Sequence, residues 1–418
     1  ELADLLGTEG GELFVDQKNP DAFIPDGLRN GGRAPDCSGE VRISGCGEIH
    51  LPGKPGEWRL DLSGNHTPPE RFPFSVWTHL LRETVNDKGD ALLVPSPCGG
   101  VKELREAIAL HLGAFRGMQV DPDRIIVGAG TEYLYGLLIQ LLDKDRIFCL
   151  EDPGYQKIAQ VYASHGVTCR WAPMDDAGLT ISGLQSAAAD IVHISPTHHF
   201  PTGITMPVSR RYELLSWANE SPGRYIIEDD YDSEFRLTGR PIPSLQSIDG
   251  DSRVIYMNTF SKSLASTIRI SYMILPPSLA NEYYRRLSFY SCTVSTFDQY
   301  TLARFIRDGY FEKHVNRMRL HYARLRRQLL QQIAVSPIAG RIDILERDSG
   351  LHFLMRIHTA RSDEELRSLL AERGINLLSI RVYYHRPEDA PEHTFILNYS
   401  SLTPSDLELA LRELAEII

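Results

Sequence analysis

The sequence predicts an α/β fold, in which a large domain built on a mostly parallel sheet is followed by a smaller α+β domain at the C-terminus. From Asp121 onward, short apolar segments alternate with longer segments that have helical spacing. This alternation is typical of a parallel sheet covered by helices on both faces. Beyond about Leu279 the pattern becomes helical and then mixed, which indicates a second and smaller unit.

Composition narrows the class of protein. The 418 residues carry a formal charge of −11, and 42% of them are apolar, which is ample for a core and excludes a disordered chain. No apolar run reaches the ~18 residues that a membrane span needs. The acidic balance argues against nucleic-acid binding by this part of the protein. Six scattered cysteines without a CxxC pair favour a reduced, cytoplasmic protein with no disulfide scaffold and no metal site of the zinc type.

Three regions are expected along the chain. Residues 1–57 are rich in Gly, Pro and Asp and weakly patterned, so they are interpreted as a linker or irregular arm. The segment begins ELADLLG, which resembles the first helix of a winged helix-turn-helix, so it is also interpreted as a remnant of such a region. Residues 58–285 form the large domain. In an alternative interpretation, residues 58–75 pack with the small domain. Residues 286–418 form the small C-terminal domain.

The elements follow from apolar spacing and from Gly/Pro breaks. The strands predicted in the large domain are 124–130, 146–152, 167–173, 191–196, 225–230, 254–260 and 269–276. The helices predicted there are 73–87, 101–117, 132–142 and 155–166. The small domain is predicted to hold a long helical region at 299–333, strands at 350–357 and 395–402, and helices at 363–374 and 404–418.

Ligands of open α/β sheets bind outside the carboxyl ends of the strands, and a lysine stands at one of these ends. In NTFSKSLASTIR, Lys262 follows a buried strand, where desolvation would lower its pKa and suit it to Schiff-base chemistry. Thr259, Ser261 and Arg269 nearby would suit a phosphate group. The alternative interpretation is a solvated Ser/Lys loop.

A second strand end carries acids, in IIEDDYDSEF. Three buried acids in a row would repel one another, whereas one acid held against a cationic nitrogen costs less. Pairing of a carboxylate with a pyridinium nitrogen is what an electron-sink cofactor requires. An N-cap cluster or an oxygen-ligated metal site is the alternative.

Three further turns contribute weaker signals. VGAGTEYL places Gly130 and Thr131 at the start of a helix, where free N–H groups bind phosphate. In LEDPGYQ, Tyr155 offers a ring face for a flat cofactor, although such a tyrosine is more often part of the packing. ISPTHHFPTG is a polar turn that contains His198 and His199.

The order of these features resembles the fold type I pyridoxal 5′-phosphate (PLP) enzymes, the aspartate aminotransferase superfamily. The similarity runs from about Leu60 to the C-terminus. The segments EDPGY, HHFPTG, EDDYDSEF and TFSKSLA are most similar to the C-terminal domain of MocR-type (GntR family) bacterial transcription regulators.

The resemblance implies a role for each candidate. Lys262 would form the internal aldimine with PLP, and Asp229 would pair with the ring nitrogen. Tyr231 would hydrogen-bond the ring hydroxyl, and Tyr155 would stack on the ring. The phosphate would be held by Gly130, Thr131, Ser261 and Arg269, with Thr259 assisting.

The chain also departs from the superfamily pattern. It has Phe200 where an asparagine commonly precedes Pro-Thr-Gly, so His199 or His198 would replace the asparagine. The last strand, FILNYSSL, has no arginine to clamp a substrate carboxylate, which leaves Arg356, Arg381 and Arg386 as candidates. VPSPCGG lacks the tyrosine that often reaches the partner subunit's phosphate.

Three functions are weighed. The first is a sensor of PLP or of an amine or amino acid, which acts on DNA only through a winged helix-turn-helix that the chain itself is not expected to contain. The second is a stand-alone PLP-dependent aminotransferase. The third is a degenerate fold without a cofactor, which has little need for a lysine, an acid and an arginine together at strand ends. The resemblance further implies a homodimer.

Overall fold

The computed structural model describes residues 58–64, 67–236, 242–345 and 350–418. The linker or arm predicted at 1–57 lies outside the described residues. Within the described part of the chain, no helix is both long enough and apolar enough to cross a membrane.

The strands are short and mostly buried. In chain order they are β1 (Leu60–Asp61), β2 (Ile125–Gly128), β3 (Ile147–Asp152), β4 (Thr168–Asp175), β5 (Gly178–Leu179), β6 (Ile191–Ile194), β7 (Tyr225–Asp229), β8 (Val254–Thr259), β9 (Ser271–Ile274), β10 (Ile342–Leu345), β11 (His352–Ile357), β12 (Ile375–Asn376), β13 (Leu378–Ser379) and β14 (Thr394–Asn398).

In the large domain, helices alternate with these strands, and the longest helix follows them. The described residues contain thirteen α-helices. In chain order they are α1 (Phe74–Lys88), α2 (Lys102–Arg116), α3 (Thr131–Leu142), α4 (Gln156–Ser164), α5 (Ile181–Ser186), α6 (Val208–Asn219), α7 (Leu245–Ile248), α8 (Phe260–Ser263), α9 (Pro277–Leu287), α10 (Thr296–Arg307), α11 (Tyr310–Val335), α12 (Asp363–Glu372) and α13 (Pro404–Ile417).

The large sheet confirms the predicted α/β class. Its eight strands run in the order β2-β9-β8-β7-β6-β3-β4-β5, and β4, β3, β6, β7 and β8 form a continuous parallel block. β9 differs from the predicted series because it pairs antiparallel with both β8 and β2. The connection between β8 and β9 contains only the four-residue α8, which is too little chain for a crossover between parallel strands.

Alternate side chains of each strand pack on opposite faces of this sheet. Ile126 and Met273 belong to a core that is completed by α3 and α9. Val127 and Tyr272 belong to the core on the other face, which is completed by α1, α2 and α10. The strand ends, not the faces, are therefore the part of the sheet that is left for a ligand.

The C-terminal region has its own sheet and core. Strands β10, β11, β14 and β13 form an antiparallel sheet in that order. Leu60 and Leu62 pack into this core, and β1 pairs with β12, whereas Phe72 packs with the large-sheet core. The alternative placement of residues 58–75 as a whole stays a prediction.

Helix α11 belongs to both cores. Val315 packs with the large sheet, whereas Met318 and Leu329 pack with the C-terminal sheet. Helix α10 also packs with the large sheet, through apolar residues such as Leu302 and Phe305. The domain boundary predicted at residue 285 stays a prediction.

Candidate functional site

A cavity of about 550 Å³ lies at the carboxyl ends of β3, β7 and β8 and at the N-terminus of α3. Parallel strands place their ends together at one edge of the sheet, which is why residues distant in sequence meet there. Nine of the ten predicted site residues line this cavity: Gly130, Thr131, Tyr155, Asp229, Tyr231, Thr259, Ser261, Lys262 and Arg269.

Lys262 lies in α8, the single helical turn that follows β8. Thr259 caps this turn, since its Oγ1 accepts a hydrogen bond from the Ser261 amide at 3.1 Å. Burial lowers the pKa of the Lys262 amine, and nearby Asp232 partly opposes the shift. A lowered pKa increases the fraction of neutral amine, which is the nucleophilic form.

The turn that carries Lys262 is attached to α11. His314 Nε2 lies 2.9 Å from the Ser263 carbonyl oxygen. Burial lowers the pKa of His314 to about 4, so the ring is neutral and Nε2 carries the proton that it donates. The other ring nitrogen, Nδ1, accepts from Arg317 Nη2 at 3.2 Å.

Asp229 stands at the end of β7 with only one of its oxygens in use. Its Oδ2 accepts a hydrogen bond from the Tyr135 hydroxyl at 2.8 Å, and His193 Nε2 lies 3.5 Å from the same oxygen. The other ring nitrogen of His193 lies 2.7 Å from the Tyr162 hydroxyl. Asp229 Oδ1 is buried and has no hydrogen-bond partner among the described residues. A buried acceptor of this kind is costly unless a ligand completes it.

A corner suited to an anion is formed by the start of α3 and Arg269. Gly130 has φ +91°, and a Cβ at this position would lie 2.5 Å from Arg269 Nη2. Gly130 therefore allows the guanidinium to approach the helix start, where the first backbone N–H groups have no partner within the helix. Arg269 itself has φ +50°.

The hydroxyl of Thr259 is occupied by local hydrogen bonds. Besides the Ser261 amide, it accepts from Ser271 Oγ at 2.8 Å and donates to the Ile270 carbonyl oxygen at 3.4 Å. Thr259 thus fixes the geometry of the turn, and its predicted assistance at a phosphate stays a prediction.

Aromatic rings form one wall of the cavity. Tyr155 is half exposed, and its ring meets Phe200 edge to face at a centroid distance of 6.1 Å. Burial, and then the charge of Asp232, raise the pKa of Tyr231 well above its ordinary value, so its hydroxyl stays protonated. That hydroxyl lies 3.4 Å from His198 Nδ1.

His199 is not among the residues that line the cavity, and its predicted contact with a cofactor stays a prediction. Its Nδ1 lies 2.7 Å from Thr202 Oγ1, and its Nε2 lies 3.5 Å from Glu151. Burial lowers the pKa of His199 to about 3, which keeps the ring neutral. His198 is directed to Asp232 at 2.6 Å instead, and the apolar ring of Phe200 lines the cavity.

None of Arg356, Arg381 and Arg386 lines the cavity. Arg386 is exposed and pairs with Asp389 at 3.0 Å. A role for these three residues at a substrate carboxylate stays a prediction.

Several lining residues were missed from the sequence: Glu132, Tyr135, Glu151, Lys157, His193 and Asn398. His193 is a polar residue inside the otherwise apolar strand IVHI, which is a signal that could have marked it. Tyr135 follows Thr131 by one helical turn, so it shares a helix face with the predicted phosphate corner.

Glu151, at the end of β3, is buried close to Asp229. It accepts a hydrogen bond from the Ser195 amide at 3.0 Å. Burial raises its pKa to about 8, with a further contribution from Asp229. At neutral pH the carboxyl group is therefore mainly protonated, and it adds no second full charge beside Asp229.

Residues 60–414 match the family model of aminotransferase class I and II. The chain belongs to the aminotransferase class I and II family. Among its relatives, the uncharacterized HTH-type transcriptional regulator YdeL of Bacillus subtilis is 35% identical over 86% of this chain and 76% of its own length. The probable rhizopine catabolism regulatory protein MocR of Rhizobium meliloti is 32% identical over 85% of this chain and 72% of its own length. Within the family, these relatives place the chain with the MocR-type regulators.

A solved structure agrees in fold. The kynurenine aminotransferase of Pyrococcus horikoshii, solved in complex with PMP, covers 86% of this chain and 90% of its own with a TM-score of 0.74. At 24% identity, this similarity establishes the fold type I architecture and nothing finer.

The cofactor of the aminotransferase class I and II family is pyridoxal 5′-phosphate, and the cavity fits it. The unpartnered Oδ1 of Asp229 is an acceptor for a pyridinium N–H. The Gly130 turn and Arg269 offer the N–H groups and the cation that a phosphate needs. Lys262 offers an amine for an aldehyde, and burial lowers the pKa of that amine.

Proposed function

We propose that this aminotransferase-family chain is the effector domain of a MocR-type transcription regulator. PLP, or PLP together with an amine or amino acid, would be the signal, and a separate winged helix-turn-helix would contact DNA. The observation that carries the proposal is the identity of 35% and 32%, over most of the chain, with two proteins named as regulators.

We assign the binding roles as follows. When bound, PLP supplies an electrophilic aldehyde and a ring that withdraws electrons once its nitrogen is protonated. Asp229 would hold that proton at the ring nitrogen, because a carboxylate stabilises the cationic form. Lys262 would hold the aldehyde carbon, and Tyr231 would donate a hydrogen bond to the ring hydroxyl.

The remaining residues would hold the cofactor in place. Tyr155 would cover one face of the ring, and its half-exposed position lets an incoming amine pass. Glu151, mainly protonated, would leave Asp229 as the one full negative charge near the ring nitrogen. The phosphate would be bound by Gly130, Thr131, Ser261 and Arg269.

A stand-alone aminotransferase is the second candidate. It is favoured by the cofactor-binding set at the strand ends and by the fold shared with a solved aminotransferase. Clamping of a substrate carboxylate by Arg356, Arg381 or Arg386 is not supported by their positions.

Absorbance spectroscopy separates the two functions. The purified chain with PLP would be titrated with a panel of amino acids and simple amines. A regulator is expected to change its visible band reversibly with one ligand and to release no keto product. Release of a stoichiometric keto product, measured by chromatography, would make the chain an enzyme, and failure to bind PLP in equilibrium dialysis would overturn both functions.

A lysine variant tests the attachment site. Lys262→Ala is expected to lose the covalent retention of PLP, because no other amine would be held at the end of β8. Borohydride reduction followed by peptide mass mapping measures it. Lys157→Ala is the matched control, since Lys157 lines the same cavity and its loss should leave the label at position 262. A label retained on Lys262→Ala at another single residue would refute the assignment.

We also propose that the domain is a homodimer. Exposed apolar side chains support it, because contiguous apolar surface commonly marks a protein interface. Leu93 and Val94 are neighbours in the chain and are 75% and 60% exposed.

A further inference from the structure

A carboxylate stands at the phosphate corner of the cavity. Glu132 is the second residue of α3, and its Oε2 lies 3.2 Å from Arg269 Nη2. Its other oxygen forms an ion pair with Lys157. All three side chains line the cavity, so the one arginine assigned to the phosphate already has an anionic partner.

Glu132 is ionised at neutral pH. The hydrogen bond from Lys157 lowers its pKa, and the charges of Lys157 and Arg269 add to this effect. The N-terminus of α3 favours a negative charge for the same reason that it favours a phosphate. Glu132 therefore competes with an incoming phosphate for the two cationic side chains and for the positive N-terminus of α3.

The charges of the corner can be counted. Arg269 and Lys157 contribute two positive charges and Glu132 one negative charge, so the corner offers a single net positive charge to a phosphate that carries nearly two negative ones. Removal of the carboxylate would leave both cations to the phosphate.

We propose that Glu132 is an affinity-setting residue, which weakens the hold of the cavity on the phosphate of PLP so that the cofactor exchanges with the surrounding solution. Lys157 offsets part of this effect by pairing with Glu132. The inference rests on the proposed function. A domain that senses the concentration of PLP must release the cofactor when that concentration falls, whereas an enzyme gains nothing from releasing it.

The test compares PLP with pyridoxal, which lacks the phosphate. Glu132→Gln is expected to bind PLP about tenfold tighter, the size that one removed unit charge gives at a partly solvated site, while its affinity for pyridoxal stays unchanged. Equilibrium dialysis gives both dissociation constants, and stopped-flow displacement should show slower release of PLP. An equal or weaker affinity for PLP would overturn the inference.

A charge-balanced pair of variants distinguishes this role from a structural one. Lys157→Gln should bind PLP more weakly, and Glu132→Gln/Lys157→Gln should return to within about threefold of the original affinity, because the net charge of the corner is then restored. If the ion pair only supported the fold, both single variants would bind more weakly and the double variant would not recover.

Inorganic phosphate alone separates this inference from the proposed function. Phosphate should protect Arg269 from an arginine-modifying dicarbonyl at lower concentration in Glu132→Gln than in the original chain. Failure of the original chain to bind PLP would contradict the proposed function. Normal binding of PLP by the original chain, with no higher affinity in Glu132→Gln, would contradict only the affinity-setting role of Glu132. Should Glu132→Gln fail to fold, judged by circular dichroism, Glu132→Ser carries the same test.

Discussion

Asp229 shows how one residue can be poised for a ligand. The Tyr135 hydroxyl and the His193 ring both lie next to Oδ2 of Asp229, so the carboxylate is oriented from one side. Its buried Oδ1 has no hydrogen-bond partner among the described residues. A buried acceptor held in a fixed direction binds a charged donor more strongly than a mobile, solvated one.

Substitution of this acid by its amide is the prediction at this scale. Asp229→Asn should weaken the binding of PLP by at least about tenfold, because an amide accepts a hydrogen bond but carries no charge to pair with the pyridinium. Titration of the visible absorbance measures the affinity. A PLP analogue with carbon in place of the ring nitrogen is the control: it has no pyridinium to pair with the carboxylate, so Asp229→Asn should not weaken its binding. Equal affinity for PLP itself would place Asp229 away from the ring.

The individual residues were predictable from sequence to different degrees. Lys262 and Asp229 could be found because each follows an apolar strand, and the sheet brings such ends together. His193 and Tyr135 carry weaker sequence signals, and their contact with Asp229 could not be predicted, because it depends on the pairing of β6 with β7 and on the packing of α3. His199 was expected at the cavity but is not among its lining residues, since a loop of two adjacent histidines does not reveal which side chain faces inward.

The element that governs phosphate binding is the start of α3. Gly130 combines a left-handed backbone conformation with close contact to Arg269. Most residues avoid this conformation, and only glycine adopts it without a steric penalty at Cβ.

An alanine at this position should therefore affect the ligand as well as the backbone. Gly130→Ala is expected to lower the affinity for PLP about tenfold or more, because the new Cβ displaces the guanidinium, and to change that for pyridoxal little. Gly117→Ala is the matched control: Gly117 also has a positive φ, +68°, but nothing lies within 4 Å of its Cβ position. It should lose about 1 kcal/mol of unfolding free energy in urea and keep its affinity for PLP. A normal PLP affinity in Gly130→Ala would contradict the prediction.

Elements were predictable where burial decides them. The parallel strands β3, β6, β7 and β8 are mainly apolar, with polar residues chiefly at their carboxyl ends, which is the pattern of strands buried on both faces. Strands of two residues, such as β5 and β12, carry no such pattern, because their pairing is set by the partner strand. The antiparallel direction of β9 likewise depends on what the connection can span, and apolar content does not encode it.

For the whole molecule, the prediction concerns association. Leu93→Asp/Val94→Asp should convert a dimer into a monomer, because two charges replace a patch of exposed apolar surface at the proposed interface. Light scattering coupled to gel filtration measures the mass. Leu110→Asp is the control, since Leu110 is 63% exposed on α2 and outside the proposed patch. A dimer that survives the double substitution would move the interface elsewhere.

The attachment of His314 to the Ser263 carbonyl has a mechanical consequence. Helix α11 has 26 residues and, at about 1.5 Å per residue, is roughly 39 Å long. It begins in one core and ends in the other, and a helix of hydrogen-bonded turns is stiff along its axis. A shift of the turn beside Lys262 would therefore act directly on the first turns of α11, and the far end of the same helix packs in the C-terminal core. Ligand binding at the amine and the packing of the C-terminal core thus share one structural element.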